Sequence, residues 1–299
     1  MKRSFIVGIA IVVILLSLFG FEVSNIASQS MAQTQQVDVN ALAQQVNALN
    51  QSVKSLNQTV NTLNQTLTAI LNPVIRLGYL DTIGFYLEGP TGRALYYFAM
   101  DVPSSGHSNL TASGLSIWTP FYAPNITLPV NPPVAVNASD FSTITGANGA
   151  NQTTYRGWPL YYFNNDTGPG KIGGQGFNSL WWVMKPTYSV MLDYKASVGG
   201  LYLTDNRGMT LYHFLNDTPG SGFSNATSAA LTQAWPPFYA QVAVAPSYLN
   251  ATSFSAIALP NGSNETTYKG WPLHYYFNDT KPGDTNGQGL ANVWYSMNP

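Results

Sequence analysis

Thr153-Thr-Tyr-Arg-Gly-Trp-Pro-Leu160 returns further along the chain as Thr266-Thr-Tyr-Lys-Gly-Trp-Pro-Leu273. The glycine of each block, Gly157 or Gly270, supplies a turn conformation with φ > 0 and is read as a tight hairpin turn from which a strand leaves. Outward from this block the match continues in both directions. Tyr86-Leu87 through Asp101 matches Tyr202-Leu203 through Asp217, and Trp118-Thr-Pro-Phe-Tyr122 matches Trp235-Pro-Pro-Phe-Tyr239. Gly174-Gln-Gly176 with Trp181 matches Gly287-Gln-Gly289 with Trp294, and each copy closes on Pro186 or Pro299. Residues 74–188 and 189–299 are thus read as two tandem repeats, each of a size to form its own core.

A shorter unit recurs within each copy. Gly92-x-x-Leu95-Tyr96-x-Phe98-x-x-Asp101 is followed by Gly157-x-x-Leu160-Tyr161-x-Phe163-x-x-Asp166. The second copy carries Gly208-x-x-Leu211-Tyr212-x-Phe214-x-x-Asp217 and Gly270-x-x-Leu273-His274-x-Tyr276-x-x-Asp279. Glycine supplies a turn with φ > 0, the aromatic alternation a strand, and the Asp a turn at the strand's far end. Four such hairpins predict a mostly β, antiparallel architecture.

These Tyr-x-aromatic-x-x-Asp units, the Trp-Pro-Pro segment and the Thr-Tyr-x-Gly-Trp-Pro-Leu block resemble the secreted-repeat lipoprotein family of unknown function, over roughly three quarters of the chain. The resemblance implies repeats on bacterial or archaeal surface proteins and implies no catalytic activity. Two departures stand out. Many family members carry a cysteine pair before the Trp-Pro-Pro segment, where this chain has Ser108-Asn109 and Ser224-Asn225, and the lipid-bearing cysteine is missing.

The chain has no cysteine at all, which excludes disulfides, thiolate nucleophiles and Cys-based metal sites. Cysteine avoidance in an exported chain fits an archaeal or thermophilic surface protein better than an animal secreted one. Charged residues are 8% of the 299, against roughly a quarter in a typical soluble domain, and the net charge is −1. Nucleic acid is therefore not an expected partner.

Met1-Lys2-Arg3 precedes an apolar run from Phe5 to Phe21, the pattern of an export signal or a membrane anchor (residues 1–30). Both readings place the rest of the chain outside the cell. Within residues 31–73 the apolar positions Val39, Leu42, Val46, Leu49, Val53, Leu56, Val60, Leu63, Leu67 and Ile70, continued by Val74, alternate at intervals of three and four. That spacing predicts an α-helical coiled-coil stalk, a dimer or trimer, spanning roughly 50 Å. Asn72-Pro73 should end its helix.

Asn-x-Ser/Thr triplets begin at Asn50, Asn57, Asn64, Asn109, Asn125, Asn137, Asn151, Asn165, Asn216, Asn225, Asn250, Asn261, Asn264 and Asn278. That is 14 of 27 asparagines, where chance predicts about 4 or 5, so dense N-glycosylation on exposed positions is expected. Asn50, Asn57 and Asn64 all fall at heptad position e, decorating one flank of the stalk.

Patterns that carry chemistry are sparse. His107, His213 and His274 lack ligand spacing, and His213 and His274, inside Tyr/Phe-rich strands, read as surface or packing residues; no nucleophile–base motif is present, so no enzyme is expected. Asp279, Asp284 and Asn286 resemble an oxygen-rich Ca²⁺ loop, although Lys171 stands at the place of Asp284 in the first repeat. Trp158, Trp181, Trp182, Trp271, Trp294 and Tyr295 suit either core packing or stacking on sugars. With 10 Lys/Arg and 12 Asp/Glu beyond residue 30, a fold of aromatic packing and neutral hydrogen bonds should tolerate acid. The expectation is a structural or interaction glycoprotein of the cell envelope or surface layer. It would oligomerise through its stalk, be held at the membrane by its N-terminus and contact other envelope proteins. The alternatives are a carbohydrate- or polymer-binding adhesin and a filament or virion subunit.

Overall fold

A computed structural model describes Ser17 and residues 39–299. Apart from Ser17, the apolar run expected to serve as signal or anchor lies outside these residues. Among the described residues no helix is long and apolar enough to cross a membrane.

The heptad segment forms one 33-residue helix, α1 (Val39–Leu71), which stops immediately before Asn72-Pro73. Its seam meets water in the single chain. Val39, Leu42, Val46, Leu56 and Leu63 are exposed, and Leu49, Val53 and Val60 are half-buried.

Residues 65–299 form one compact unit holding both repeats. The first repeat contains β1 (Arg76–Leu80), β2 (Gly84–Glu88), β3 (Tyr96–Phe98), β4 (Trp118–Pro120), β5 (Phe141–Thr145), β6 (Asn151–Tyr155), β7 (Trp158–Pro159), β8 (Tyr161–Phe163) and β9 (Trp181–Val183). The second contains β10 (Val190–Lys195), β11 (Gly200–Asp205), β12 (Tyr212–Phe214), the short helix α2 (Ala229–Ala234), β13 (Phe254–Ala258), β14 (Asn264–Tyr268), β15 (Trp271–Pro272) and β16 (Trp294–Ser296). All the ladders are antiparallel. Each repeat opens with a hairpin (β1–β2, β10–β11) and carries a three-stranded meander (β5–β6–β7, β13–β14–β15).

The duplicated Tyr-Arg/Lys-Gly-Trp block makes the last turn of each meander. Arg156 and Gly157 have φ of 50° and 84°, and Lys269 and Gly270 have 50° and 81°. Two successive residues with positive φ form the primed turn whose twist matches a two-residue hairpin, so Tyr155 pairs with Trp158 and Tyr268 with Trp271.

The repeats differ in their central sheet. The first has four strands in the order β4-β8-β3-β9, whereas the second keeps only β12–β16. The fourth Tyr-x-aromatic unit is therefore not a strand, contrary to the sequence expectation. His274 makes only isolated bridges to Tyr212 and Pro237. The cause is Pro236, which stands where β4 has Thr119. Tyr275 N–H still donates to the Pro236 carbonyl at 2.8 Å, but proline has no N–H to return a bond.

The core also departs from two self-contained domains. One apolar cluster runs through both copies, joining Leu95, Tyr97, Trp158 and Trp182 to Leu192, Leu203, Leu211 and Leu273. Smaller clusters local to each copy surround Trp118–Trp181 and Trp235–Trp294.

Candidate functional site

The half-repeat motif builds a repeated, buried polar constellation. In each of the four units the Asp amide donates to the carbonyl three residues back, at Phe98, Phe163, Phe214 and Tyr276, closing a turn at the end of the unit. That turn aims the carboxylate inward. Asp101, Asp166, Asp217 and Asp279 are all buried, as are the other motif residues Tyr96, Phe98, Tyr161, Phe163, Tyr212, Phe214 and His274; Tyr276 is half-buried.

The tyrosines and aspartates pair across units. Tyr96 of the first unit donates its hydroxyl to Asp166 Oδ2 of the second at 2.6 Å, and Tyr161 of the second donates to Asp101 Oδ2 of the first at 2.6 Å. The remaining oxygens accept backbone amides: Asn109 N–H reaches Asp101 Oδ1 at 2.6 Å and Gly173 N–H reaches Asp166 Oδ1 at 2.8 Å. The second repeat keeps one arm, with Tyr212 on Asp279 Oδ2 at 2.6 Å and Asn286 N–H on Asp279 Oδ1 at 2.9 Å. Three of the four motif acids, Asp101, Asp166 and Asp279, thus take hydrogen bonds on both oxygens and fasten one half-repeat to its neighbour.

The other arm of the second repeat is rewritten. His274 replaces Tyr161 and Glu265 replaces Gln152 at matching positions. Gln152 is fully buried and donates to the Leu160 carbonyl at 2.9 Å. In its place Glu265 Oε1 lies 3.0 Å from His274 Nδ1, and Asp217 Oδ2 lies 3.9 Å from His274 Nε2. Burial alone would lower the histidine's pKa, but the Asp217 and Glu265 carboxylates outweigh it and the net direction is up. His274 is accordingly a buried imidazole whose two acid neighbours favour its protonated form, beyond the surface or packing role its sequence context suggested.

A third tyrosine–carboxylate contact is conserved between the repeats by different residues. In the first repeat Glu88 and the Tyr86 phenol occupy the space in which a side chain on Gly78 would stand. In the second repeat Asp193 stands at that strand position, opposite Tyr202 as Gly78 is opposite Tyr86, and accepts the Tyr202 hydroxyl at 2.8 Å. Thr204 then replaces Glu88.

Burial drives the acids upward in pKa, to about 7 for Asp101 and Asp193. Asp166, Asp279 and Glu88 are raised for the same reason.

The tryptophans form the apolar counterpart. Trp118 stacks on Trp181 at 3.7 Å and 3°, and Trp235 on Trp294 at 3.8 Å and 4°; Phe98 and Phe214 extend the stacks at 4.3 Å. Of the six aromatic residues that suited sugar stacking, Trp158, Trp181, Trp182 and Trp294 are buried, and Trp271 and Tyr295 are half-buried.

The oxygen-rich loop is internally satisfied. Asp284 Oδ2 accepts the Thr280 and Lys281 amides at 3.0 and 3.2 Å, while Asp279 is held by Tyr212 and Asn286. Among the described residues no group of three or more His, Asp or Glu is arranged to hold a metal. A polar cleft of about 640 Å³ opens between the repeats, lined by Asp140, Arg156, Asn206 and Arg207 among others.

All 14 sequon asparagines are exposed. Asn250 and Asn261 accept the hydroxyl of their own sequon, from Thr252 at 2.8 Å and Ser263 at 2.7 Å. By contrast, the sequon threonines Thr153 and Thr266 are buried.

No curated protein and no solved structure matches the chain. A family model described as a secreted repeat of unknown function matches residues 142–185 and 255–297. Each match runs from the meander, through the second half-repeat, to the closing tryptophan strand (β9 or β16), so two tandem regions of the chain are similar to that secreted repeat, one in each copy.

Proposed function

We propose that this chain is a non-catalytic structural and interaction glycoprotein of the cell surface, which self-associates through α1 and presents its paired β repeats away from the membrane. The exposed heptad seam carries the reading. A helix that leaves Val39, Leu42, Val46, Leu56 and Leu63 in water needs a partner with the same stripe, and a second or third copy supplies it. The e-position sequons at Asn50, Asn57 and Asn64 flank this seam and leave it free to close. In the repeats, the Tyr–Asp pairs and stacked tryptophans are sealed from solvent, which suits a durable scaffold. Glycans at the exposed sequons, an N-terminal anchor or export signal, and envelope partners belong to the same proposal.

The test is light scattering on the purified glycoprotein together with mass spectrometry of its asparagines. A dimer or trimer that dissociates on Leu56→Asn, with sugar on several sequons, is the expected result. A monomer at micromolar concentration would sink the stalk, and unmodified asparagines would sink the glycoprotein. The adhesin reading draws on half-exposed Trp271 and Tyr295, and glycan-array binding abolished by Trp271→Ala would favour it instead.

A further inference from the structure

The junction between the repeats is a template for a second junction. In the first repeat Tyr97, Ala99, Pro103, Trp158 and Trp182 are buried, and the second repeat covers this face with its opening hairpin, the Asn206–Gly208 turn that follows and Tyr248, which meets Trp182. Tyr194 N–H donates to the Ala99 carbonyl at 2.8 Å, and Leu192 N–H donates to the Tyr97 hydroxyl at 3.4 Å. The Trp158 indole donates to the Asn206 carbonyl at 3.3 Å, and Tyr188 packs edge-on to Tyr97. Pro103 seats against Gly208, where a side chain would collide with it.

The matching positions of the second repeat are His213, Leu215, Pro219, Trp271 and Tyr295. The local backbone is the same: Ala99 N–H donates to Leu180 and Leu215 N–H donates to Val293, both at 2.8 Å, which turns the two carbonyls alike. Yet Leu215 is 45% exposed where Ala99 is 0%. Pro219 is exposed, and His213, Trp271 and Tyr295 are half-buried. The second repeat has built the same socket and, among the described residues, nothing fills it.

The complementary piece is also present. Hairpin β1–β2 has the register of β10–β11, with Gly78 opposite Tyr86 as Asp193 is opposite Tyr202. Its Leu77 and Tyr79 correspond to Leu192 and Tyr194, so the strand alternation turns their amides to the same outer edge. Tyr79 is 56% exposed and Leu77 half-buried, whereas Leu192 is fully buried against the first repeat. Arg76 replaces Met191 and stands opposite Glu88 in the hairpin.

We propose that the face formed by His213, Leu215, Pro219, Trp271 and Tyr295 docks the β1–β2 hairpin of a second copy of this chain, adding copies head to tail. The contact is heterologous, since one surface meets a different surface on its partner, and such contacts propagate into rows or filaments unless the rotation closes a ring. It is separate from the α1 seam and does not depend on the stalk reading.

A chain without cysteine makes the test clean. In the full-length protein, Tyr79→Cys with Leu215→Cys should oxidise to a covalent ladder whose linking peptide joins position 79 of one copy to position 215 of another. Ala99→Cys with Tyr194→Cys calibrates the geometry by closing the internal equivalent. Linking peptides joining only 79 to 79 or 215 to 215, or no linkage while the internal pair closes, would overturn the proposal. In sedimentation without cysteines, the wild-type mass should rise with concentration beyond the stalk oligomer, and Leu215→Glu should abolish that rise. A stalk variant, Leu56→Asn, should leave the 79–215 linkage intact, so the two contacts fail separately.

Discussion

The Tyr161 hydroxyl donates to Asp101 Oδ2 across 60 residues of chain at 2.6 Å, in a site where both side chains have no exposed surface. The bond fastens the second half-repeat to the first, and Ser108 Oγ, 2.6 Å from the same phenol, completes it. Tyr161→Phe keeps the ring and strips the carboxylate of one donor in a place water does not reach. Loss of a hydrogen bond to a buried acid costs about 2 kcal/mol. Urea unfolding should show that loss for Tyr161→Phe and little for Tyr162→Phe, whose ring is half-buried. Equal losses for the two variants would remove the special standing of the pair.

The acids set a pH dependence of definite sign. Burial pushes Asp101 and Asp193 up to about 7 and raises Asp166, Asp279 and Glu88, while His274 is raised by its two carboxylates against the opposing effect of burial. Each group binds its proton more tightly folded than unfolded. The resulting stability is fully present below the unfolded carboxyl range, about pH 4, and is lost as pH rises through about 7. Thermal melts should therefore give a higher Tm at pH 4.5 than at pH 8, and Asp101→Asn with Asp193→Asn should flatten the difference. On this prediction acid tolerance would come from buried carboxyls that accept protons in place, more than from a scarcity of charge. A Tm that falls steadily from pH 7 to pH 4 would contradict it.

Positions 274 and 265 both differ from their first-repeat counterparts, Tyr161 and Gln152, and lie in contact, so their energies should be coupled. His274→Tyr alone sets a phenol against the Glu265 carboxylate, and Glu265→Gln alone removes one of the two acids flanking the imidazole. The double variant recreates the Tyr161–Gln152 arrangement of the first repeat. In a double-mutant cycle by denaturant unfolding, the pair should be less destabilised than the sum of the singles by about 1 kcal/mol or more. Additive singles would mean that the two positions are independent.

How far the sequence discloses these features depends on the range of the interaction. The primed turns at Arg156-Gly157 and Lys269-Gly270 and the stop of α1 before Asn72-Pro73 are local, and period and turn chemistry reveal them. The motif tyrosines and aspartates are visible as a pattern, but their exchange of partners depends on strands 60 to 70 residues apart meeting in register. Glu265 lies in a Thr-rich strand with nothing local to mark it as the partner of His274. The loss of the fourth strand is legible only when Pro236 is set against Thr119, because the missing N–H acts on a neighbour elsewhere in the chain. The shared core was hidden for a related reason: Ala99 and Leu215 are equally apolar in sequence, and only the docked hairpin distinguishes them.

Gly174 and Gly287 test the tryptophan stacks directly. A Cβ on Gly174 would stand 2.6 Å from Trp118 Cη2 and 3.0 Å from Phe163 Cβ, and one on Gly287 would stand 2.8 Å from both Trp235 Cη2 and Tyr212 Cε1. Trp118 lies against Trp181 at 3.7 Å on its other face, so the indole has no room to withdraw. Overpacking of this kind costs about 1–3 kcal/mol. Gly168, by contrast, has open space around the same position. Thermal melts should therefore rank Gly174→Ala and Gly287→Ala well below wild type and leave Gly168→Ala near it. A cost at Gly174 with none at Gly287 would show that the second stack, with Tyr276 in place of Phe163, yields to the added methyl group by moving.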